Sequence, residues 1–203
     1  MTKLNSHINT QNLLSAIVTS TARVMVLRIF LIDPMRAYYQ RQLESATGLV
    51  IRAVQRELEK LTEAGLLYRR LEGKRAYYTV DTEFPGFEDL RRLFLAGADP
   101  QDTLRAVLAM EPTTHLLFRN KGSGRVLLVT HNGLPVSALE GIDAFRVETI
   151  STEEFLSQLK DEPKRLTAFL KSGEDLLGRR DDIVWSRIEA AGFRVDIAKG
   201  IPQ

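Results

Sequence analysis

Between Gly48 and Gly65 the chain reads GLVIRAVQRELEKLTEAG, and Arg52, Gln55, Arg56 and Glu59 recur every three to four residues, with Lys60 beside them. Side chains of these types can read nucleic acid. An arginine fork bridges the O6 and N7 acceptors of guanine, and a glutamine amide pairs with N6 and N7 of adenine. Arg52 and Gln55 are therefore the expected base readers, with Ile51 and Ala53 near the leading turn where thymine methyls would meet them. Arg56 and Lys60, joined by Tyr39 upstream and by Lys74 and Arg75 downstream, are the expected phosphate contacts. The plain alternative is a solvated helix face whose Arg56, Glu59 and Lys60 only pair with one another.

A second constellation is Lys121-Gly122-Ser123-Gly124-Arg125. Backbone amides of such a turn, flanked by two cations, can bind an anion. The same residues also suit an ordinary solvated β-turn, and two glycines without a following helix are a weak phosphate signal. Elsewhere chemistry is scarce. The chain has no cysteine, so disulfides, zinc–thiolate sites and thiol nucleophiles are excluded. His7, His115 and His131 have no partner at helical spacing, and Ser123, Ser137 and Ser151 lie in no nucleophile-elbow motif. No catalytic residue, metal ligand or cofactor is assigned.

The helix that would carry the first constellation is predicted over residues 50–64. Val50, Val54, Leu58 and Leu61 form its apolar stripe, and Gly65 suits a left-handed end. Val50 stands where a capping hydroxyl is expected, so either Thr47 caps the helix or its start is displaced. Before it, Ser20 or Thr21 opens a mostly buried helix that Asp33-Pro34 ends. YYQRQLESATG (38–48) then reads as a second helix, with Tyr39, Leu43 and Ala46 on one face. Residues 10–19 form a further short amphipathic segment. After Gly65, LLYRRLEGKRAYYTV alternates with period two, so that Leu67, Arg69 and Leu71 answer Ala76, Tyr78 and Val80 in a hairpin over 67–80.

Residues 82–98 suit another helix, with Phe87, Leu90 and Phe94 on one stripe. That stripe could pack within the chain or form a dimer seam. Asp99-Pro100 reads as a boundary, giving a first domain at 1–80, a linker helix at 81–99 and a second domain at 100–203. In the second domain, QDTLRAVLAM is a helix, and THLLFR (114–119), RVLLVT (125–130) and AFRVETI (144–150) are strands. Ser151 and Glu154 open a further helix as a capping box. Helices follow at 163–171 and 180–191, where Arg179-Arg180-Asp181-Asp182 is a charged start and Trp185 and Ile188 are core. GFRVDIA is a terminal strand or tail. Alternating strands and helices make a small α/β domain.

Of the 203 residues, 44% are hydrophobic, enough for one large or two small domains. The net charge of +2 hides an asymmetry. Residues 1–80 hold 12 basic and 6 acidic side chains, while the remainder hold 16 and 20. A polyanion would be handled by the first part alone. MTKLNSHINTQN has no apolar signal-peptide core, and the run Val24 to Ile32 is too short to span a membrane. A cytoplasmic location without membrane contact is expected.

Residues 13–95 resemble the ArsR/MarR-type winged-helix transcription regulators. The resemblance rests on LLSAIVTSTARVMVLRIFL, RQLESATG, AVQRELEKLTEAGLL and GKRAYYTV, in the family's order and spacing. It implies an α+β winged helix-turn-helix domain that binds promoter double-stranded DNA as a homodimer. The helix at 50–64 would enter the major groove, and the wing at 67–80 would lie on the backbone or in the minor groove. A small-molecule effector is compatible with this class.

The second half more faintly resembles the nucleotidyltransferase-like domain fused behind some such regulators, through its strand, Gly-Ser element, strand and the segment ETISTEEFLSQLKDEPKRLTAFLKSGEDLLG. Active members of that class place two metal-binding carboxylates on the strand after the Gly-Ser element. Here RVLLVTHN carries none, and the intervening loop is too short. A degenerate domain serving packing, dimerisation or sensing is expected, not an enzyme. Two alternatives remain: a transferase drawing carboxylates from Asp143 or Glu148, or a scaffold whose winged helix has lost DNA binding.

Overall fold

The computed structural model describes residues 20–139, 144–180 and 182–202. The segment at 10–19, His7, Asp143 and Asp181 lie outside the described residues. The chain divides into two compact units, the first ending at Ala106 and the second beginning at Val107. Both mix helix and sheet, so the fold class is α+β. Among the described residues no helix is long and apolar enough to cross a membrane.

The first unit opens with α1 (Thr21–Ile32), where the Ser20 hydroxyl caps the start by accepting from the Arg23 amide at 3.2 Å. α2 (Gln40–Thr47) and α3 (Ile51–Glu63) follow, separated by Gly48 at φ +68°. Strands β2 (Leu67–Glu72) and β3 (Arg75–Val80) form a hairpin closed by Gly73 and Lys74. Its register pairs Leu67 with Val80, Arg69 with Tyr78 and Leu71 with Ala76, as the alternation predicts. The expected helix start at Tyr38 is corrected. Tyr38 and Tyr39 form β1 (Tyr38–Tyr39), which pairs with β3 opposite Tyr78 and Tyr77 and completes a sheet ordered β1-β3-β2. Buried Tyr38, edge-on to Phe30 at 5.5 Å, explains why this pair is held in the sheet.

Phe30, Leu43, Val54, Leu58 and Leu67 share one core with Phe87 and Phe94 of α4 (Phe87–Leu95). The apolar stripe of α4 is thus committed inside its own unit. The unit extends past Asp99-Pro100 because charges tie α5 (Pro100–Ala109) back to it. Arg28 pairs with buried Asp102, which also meets Arg105, and Arg91 donates to the Leu31 and Ala106 carbonyls. Buried charges of this kind persist only when paired and hydrogen-bonded.

The second unit contains a five-stranded sheet ordered β6-β5-β4-β7-β8. Its strands are β4 (Thr114–Asn120), β5 (Arg125–Thr130), β6 (Arg146–Ser151), β7 (Gly173–Asp175) and β8 (Asp196–Ile197). β4 and β5 form a hairpin, β5 runs parallel to β6, and β7 runs parallel to β8. Helices α6 (Thr152–Asp161), α7 (Pro163–Leu170) and α8 (Ile183–Ala190) cover Leu116, Phe118, Leu127 and Val129. Leu117, Val126 and Leu128, on the opposite face, are buried too, which explains why these runs show no alternation. Ser151 caps α6 by accepting from the Glu154 amide at 3.0 Å. The last helix begins at Ile183 rather than at Arg180, because Asp182 is its cap and accepts from the Trp185 amide at 2.8 Å.

Candidate nucleic-acid interface

α3 has two faces, but not those drawn from the sequence alone. Val54, Leu58 and Leu61 are buried as expected, whereas Val50 is 71% exposed. Val50 is the N-cap and lies before the helical stripe begins. No side chain caps this helix. Thr47 does not take over: its hydroxyl donates to the Leu43 carbonyl at 2.6 Å and accepts from the Leu49 amide. The first-turn amides of α3 are therefore free of a capping side chain, and the turn begins with an exposed apolar residue.

Beside the buried stripe sits a carboxylate that the periodicity did not single out. Glu57 is 1% exposed and accepts from Arg23 Nε at 2.9 Å and from the Ser20 hydroxyl at 3.0 Å. Burial pushes its carboxyl up, but the Arg23 and Ser20 hydrogen bonds outweigh that and hold it below the ordinary value. The signal available in sequence was Glu57 standing next to Leu58, off the polar face. Its role is to clamp α3 onto the start of α1.

Arg52, Arg56 and Lys60 are exposed, while Ile51, Ala53 and Gln55 are half-buried. Gln55 Nε2 donates to Gln40 Oε1 at 3.2 Å, linking α3 to the start of α2. The only carboxylate paired with Arg56 among the described residues is Glu57, at 3.7 Å. Lys60 is in the last turn of α3, where a cation also meets the negative end of the helix dipole.

Tyr39, Lys74 and Arg75 meet in space although they are far apart in the chain. β1 is bound to β3, so the hairpin tip stands against the N-terminus of α2. The Arg75 guanidinium lies over the Tyr39 ring at 5.0 Å, and that ring is edge-on to Tyr77 at 5.7 Å. Tyr39, Gln40, Arg41, Lys74, Arg75 and Ala76 line an open groove of about 410 Å³. The Tyr39 side chain provides no cap hydrogen bond to α2. Three cations and the positive end of a helix thus surround one concavity, a setting suited to a phosphate group. Arg41 carries no signal in the sequence, because only the β1–β3 pairing brings the hairpin tip beside the start of α2.

The turn at 121–125 closes on itself. Asn120 Oδ1 accepts from the Gly122 amide at 3.0 Å and from the Ser123 hydroxyl at 2.9 Å. Lys121 pairs with Asp196 at 2.7 Å, Arg125 pairs with Glu148 at 2.9 Å, and Gly124 has φ +64°. Each cation of this turn therefore has its own carboxylate.

His115 and His131 meet although no helical spacing links them. His115 lies in β4, and His131, just past the end of β5, donates its amide to the Thr113 carbonyl at 2.9 Å, so that their rings lie 4.9 Å apart. His115 Nδ1 is 2.9 Å from the Thr152 hydroxyl, and its Nε2 is bonded to Asp182. Burial raises the Asp182 carboxyl, but the Trp185 amide and His115 outweigh that and hold it low. Among the described residues no group of three or more His, Asp or Glu side chains is arranged to hold a metal.

No protein-family model, curated protein or solved structure matches this chain.

Proposed function

We propose that the first unit is a winged helix-turn-helix module and that the protein is a sequence-specific double-stranded DNA-binding transcription regulator acting as a homodimer. The observation that carries this reading is the groove between the α2 N-terminus and the β2–β3 tip, where Arg41, Lys74 and Arg75 converge. In the same unit α3 exposes Arg52, Arg56 and Lys60. α3 enters the major groove. There Arg52 pairs with guanine, Gln55 exchanges Gln40 for an adenine edge, and Ile51 and Ala53 approach thymine methyls. Arg56, Lys60, Tyr39, Arg41, Lys74 and Arg75 hold phosphates, and the wing follows the backbone or the minor groove.

The second unit is a non-catalytic, nucleotidyltransferase-like module in this reading. The carboxylates of its sheet are already engaged: Glu148 with Arg125, Glu174 with Arg119, Asp175 with Arg180 and Asp196 with Lys121. No pair is left open for a divalent cation on β5, where the fold's chemistry would need it.

The test is selection of double-stranded DNA from a random pool, followed by anisotropy titration of the enriched site at several salt concentrations. A defined site should emerge, bound with a slope of log K on log salt of about −4 to −5 per protomer, from five cationic phosphate contacts. As a dimer, the protein should protect two half-sites about 34 Å apart. Recovery of no site, together with salt-independent association, would leave the module as a scaffold.

A further inference from the structure

Val50 is the large apolar side chain at the start of α3 that the core leaves out, with 71% of it exposed. Single exposed apolar residues are ordinary on protein surfaces and carry nothing by themselves. What distinguishes Val50 is its position. Its backbone is extended, at φ −66° and ψ 144°, and it is the N-cap of α3. Its carbonyl accepts the first helical hydrogen bonds, from the Ala53 amide at 2.9 Å and the Val54 amide at 3.3 Å. Ser, Thr, Asp or Asn in this geometry would accept from a first-turn amide and stabilise the helix. The backbone is ready for such a residue, and the chain places an isopropyl group there instead.

The residue before it fixes the direction of the side chain. Leu49 is partly buried and packs against the core of the first unit. In extended backbone successive side chains point to opposite sides, so Val50 faces away from that core, ahead of the first turn of α3. Ile51 and Ala53, which follow, are half-buried, whereas Arg52 is exposed like Val50. The leading end of α3 therefore presents a hydrocarbon surface beside an arginine, and most of that surface belongs to Val50.

We propose that Val50 is a specificity-determining residue of the DNA interface and reads the 5-methyl group of a thymine. This rests on the reading of α3 as the helix in the major groove. A recognition helix presents its N-terminal residues to base edges, and in that groove thymine alone among the standard bases displays a methyl group. The isopropyl group has no hydrogen-bonding atom, so the contact discriminates by apolar burial alone. Its closest competitor is uracil, which is thymine without the methyl.

The test titrates the full chain with its selected duplex, each thymine of a half-site being replaced in turn by deoxyuridine, symmetrically in both halves. Only the methyl group is removed. At one position the parent should bind the deoxyuridine duplex about fourfold more weakly, the effect of one buried methyl. Val50→Ala should bind the thymine duplex more weakly and show no difference between the two, a coupling that a double-mutant cycle reads directly. Val50→Ser should lose the discrimination as well, yet melt at least as high as the parent, because its hydroxyl can cap α3. The assignment is overturned if no thymine shows the loss, or if the loss persists in Val50→Ala and Val50→Ser. It is equally overturned if Ile51→Ala abolishes the loss while Val50→Ala does not, or if Val50→Ser melts lower than the parent, which would make Val50 a packing residue. A selected site without a methyl effect removes this assignment and leaves DNA binding standing, whereas recovery of no site removes both.

Discussion

Arg52 and Arg41 divide the work of the proposed interface, and their substitutions should look different. Arg52→Ala removes a fork aimed at one base pair. It should cost about 1–3 kcal/mol on the selected site and relax preference at a single position. Arg41→Ala or Lys74→Ala removes a phosphate contact from the groove beside Tyr39. Either should weaken all sequences alike and make the salt slope shallower by about one. Anisotropy titrations on the selected site and on single-base variants separate these outcomes.

Glu57 makes a prediction of another kind. Its folded carboxyl titrates below the ordinary value of 4.5, so protonation favours the unfolded chain. Its contribution is complete above that ordinary value and is lost as pH falls through the lower, folded one. Glu57→Gln should therefore cost about 1–2 kcal/mol at neutral pH, with the deficit shrinking under acid conditions. Urea unfolding of both proteins at neutral and acid pH measures it. A constant deficit would mean that Glu57 acts by shape, not by charge.

At the scale of elements, what could be read in the sequence was what depends on local order. The β2–β3 register follows from strict alternation around Gly73, whose φ of +56° suits a residue without Cβ. α1 and α6 announce themselves by Ser20 and Ser151, each of which caps its helix as a hydroxyl at that position should. What escaped was held by distant partners. β1 is two residues long and exists because β3 pairs with it, so nothing in Tyr38-Tyr39 itself marks the break before α2. The groove that gathers Tyr39, Arg41, Lys74 and Arg75 depends on that same pairing, so the sequence marks Tyr39, Lys74 and Arg75 by type but not their meeting. His115 and His131 escaped likewise, because a β-hairpin rather than a helix brings them together.

β7 is the extreme case, since Gly173-Glu174-Asp175 has no strand propensity. Gly173 is needed there. A Cβ would clash with the Phe169 carbonyl and lie 2.8 Å from the Arg119 carbonyl oxygen. Gly173→Ala must displace backbone and should cost about 3 kcal/mol or more in the second unit. Thermal unfolding followed by Trp185 fluorescence would show it, and a change below about 0.5 kcal/mol would refute this packing.

For the whole molecule, charge is concentrated by segment more than by unit: residues 1–106 hold 15 basic and 12 acidic side chains, and the remainder 13 and 14. The excess of basic residues lies in the first 80, and the carboxylates of the second unit's sheet are used in internal ion pairs. The proposed division of labour is DNA recognition by the first unit and a non-catalytic role for the second. Incubation with labelled nucleoside triphosphates and magnesium should accordingly give no incorporation into protein or nucleic acid. Incorporation above background would restore transferase chemistry to the second unit.

The most direct test of the central claim is binding of the intact protein to double-stranded DNA selected from a random pool, compared with a scrambled duplex across a salt series. Winged-helix recognition requires a preference for the selected site that Arg52→Ala erodes at one base pair, and an affinity that falls steeply with salt for both duplexes. Equal affinity of parent, Arg52→Ala and Lys74→Ala for all duplexes, without salt dependence, would contradict it.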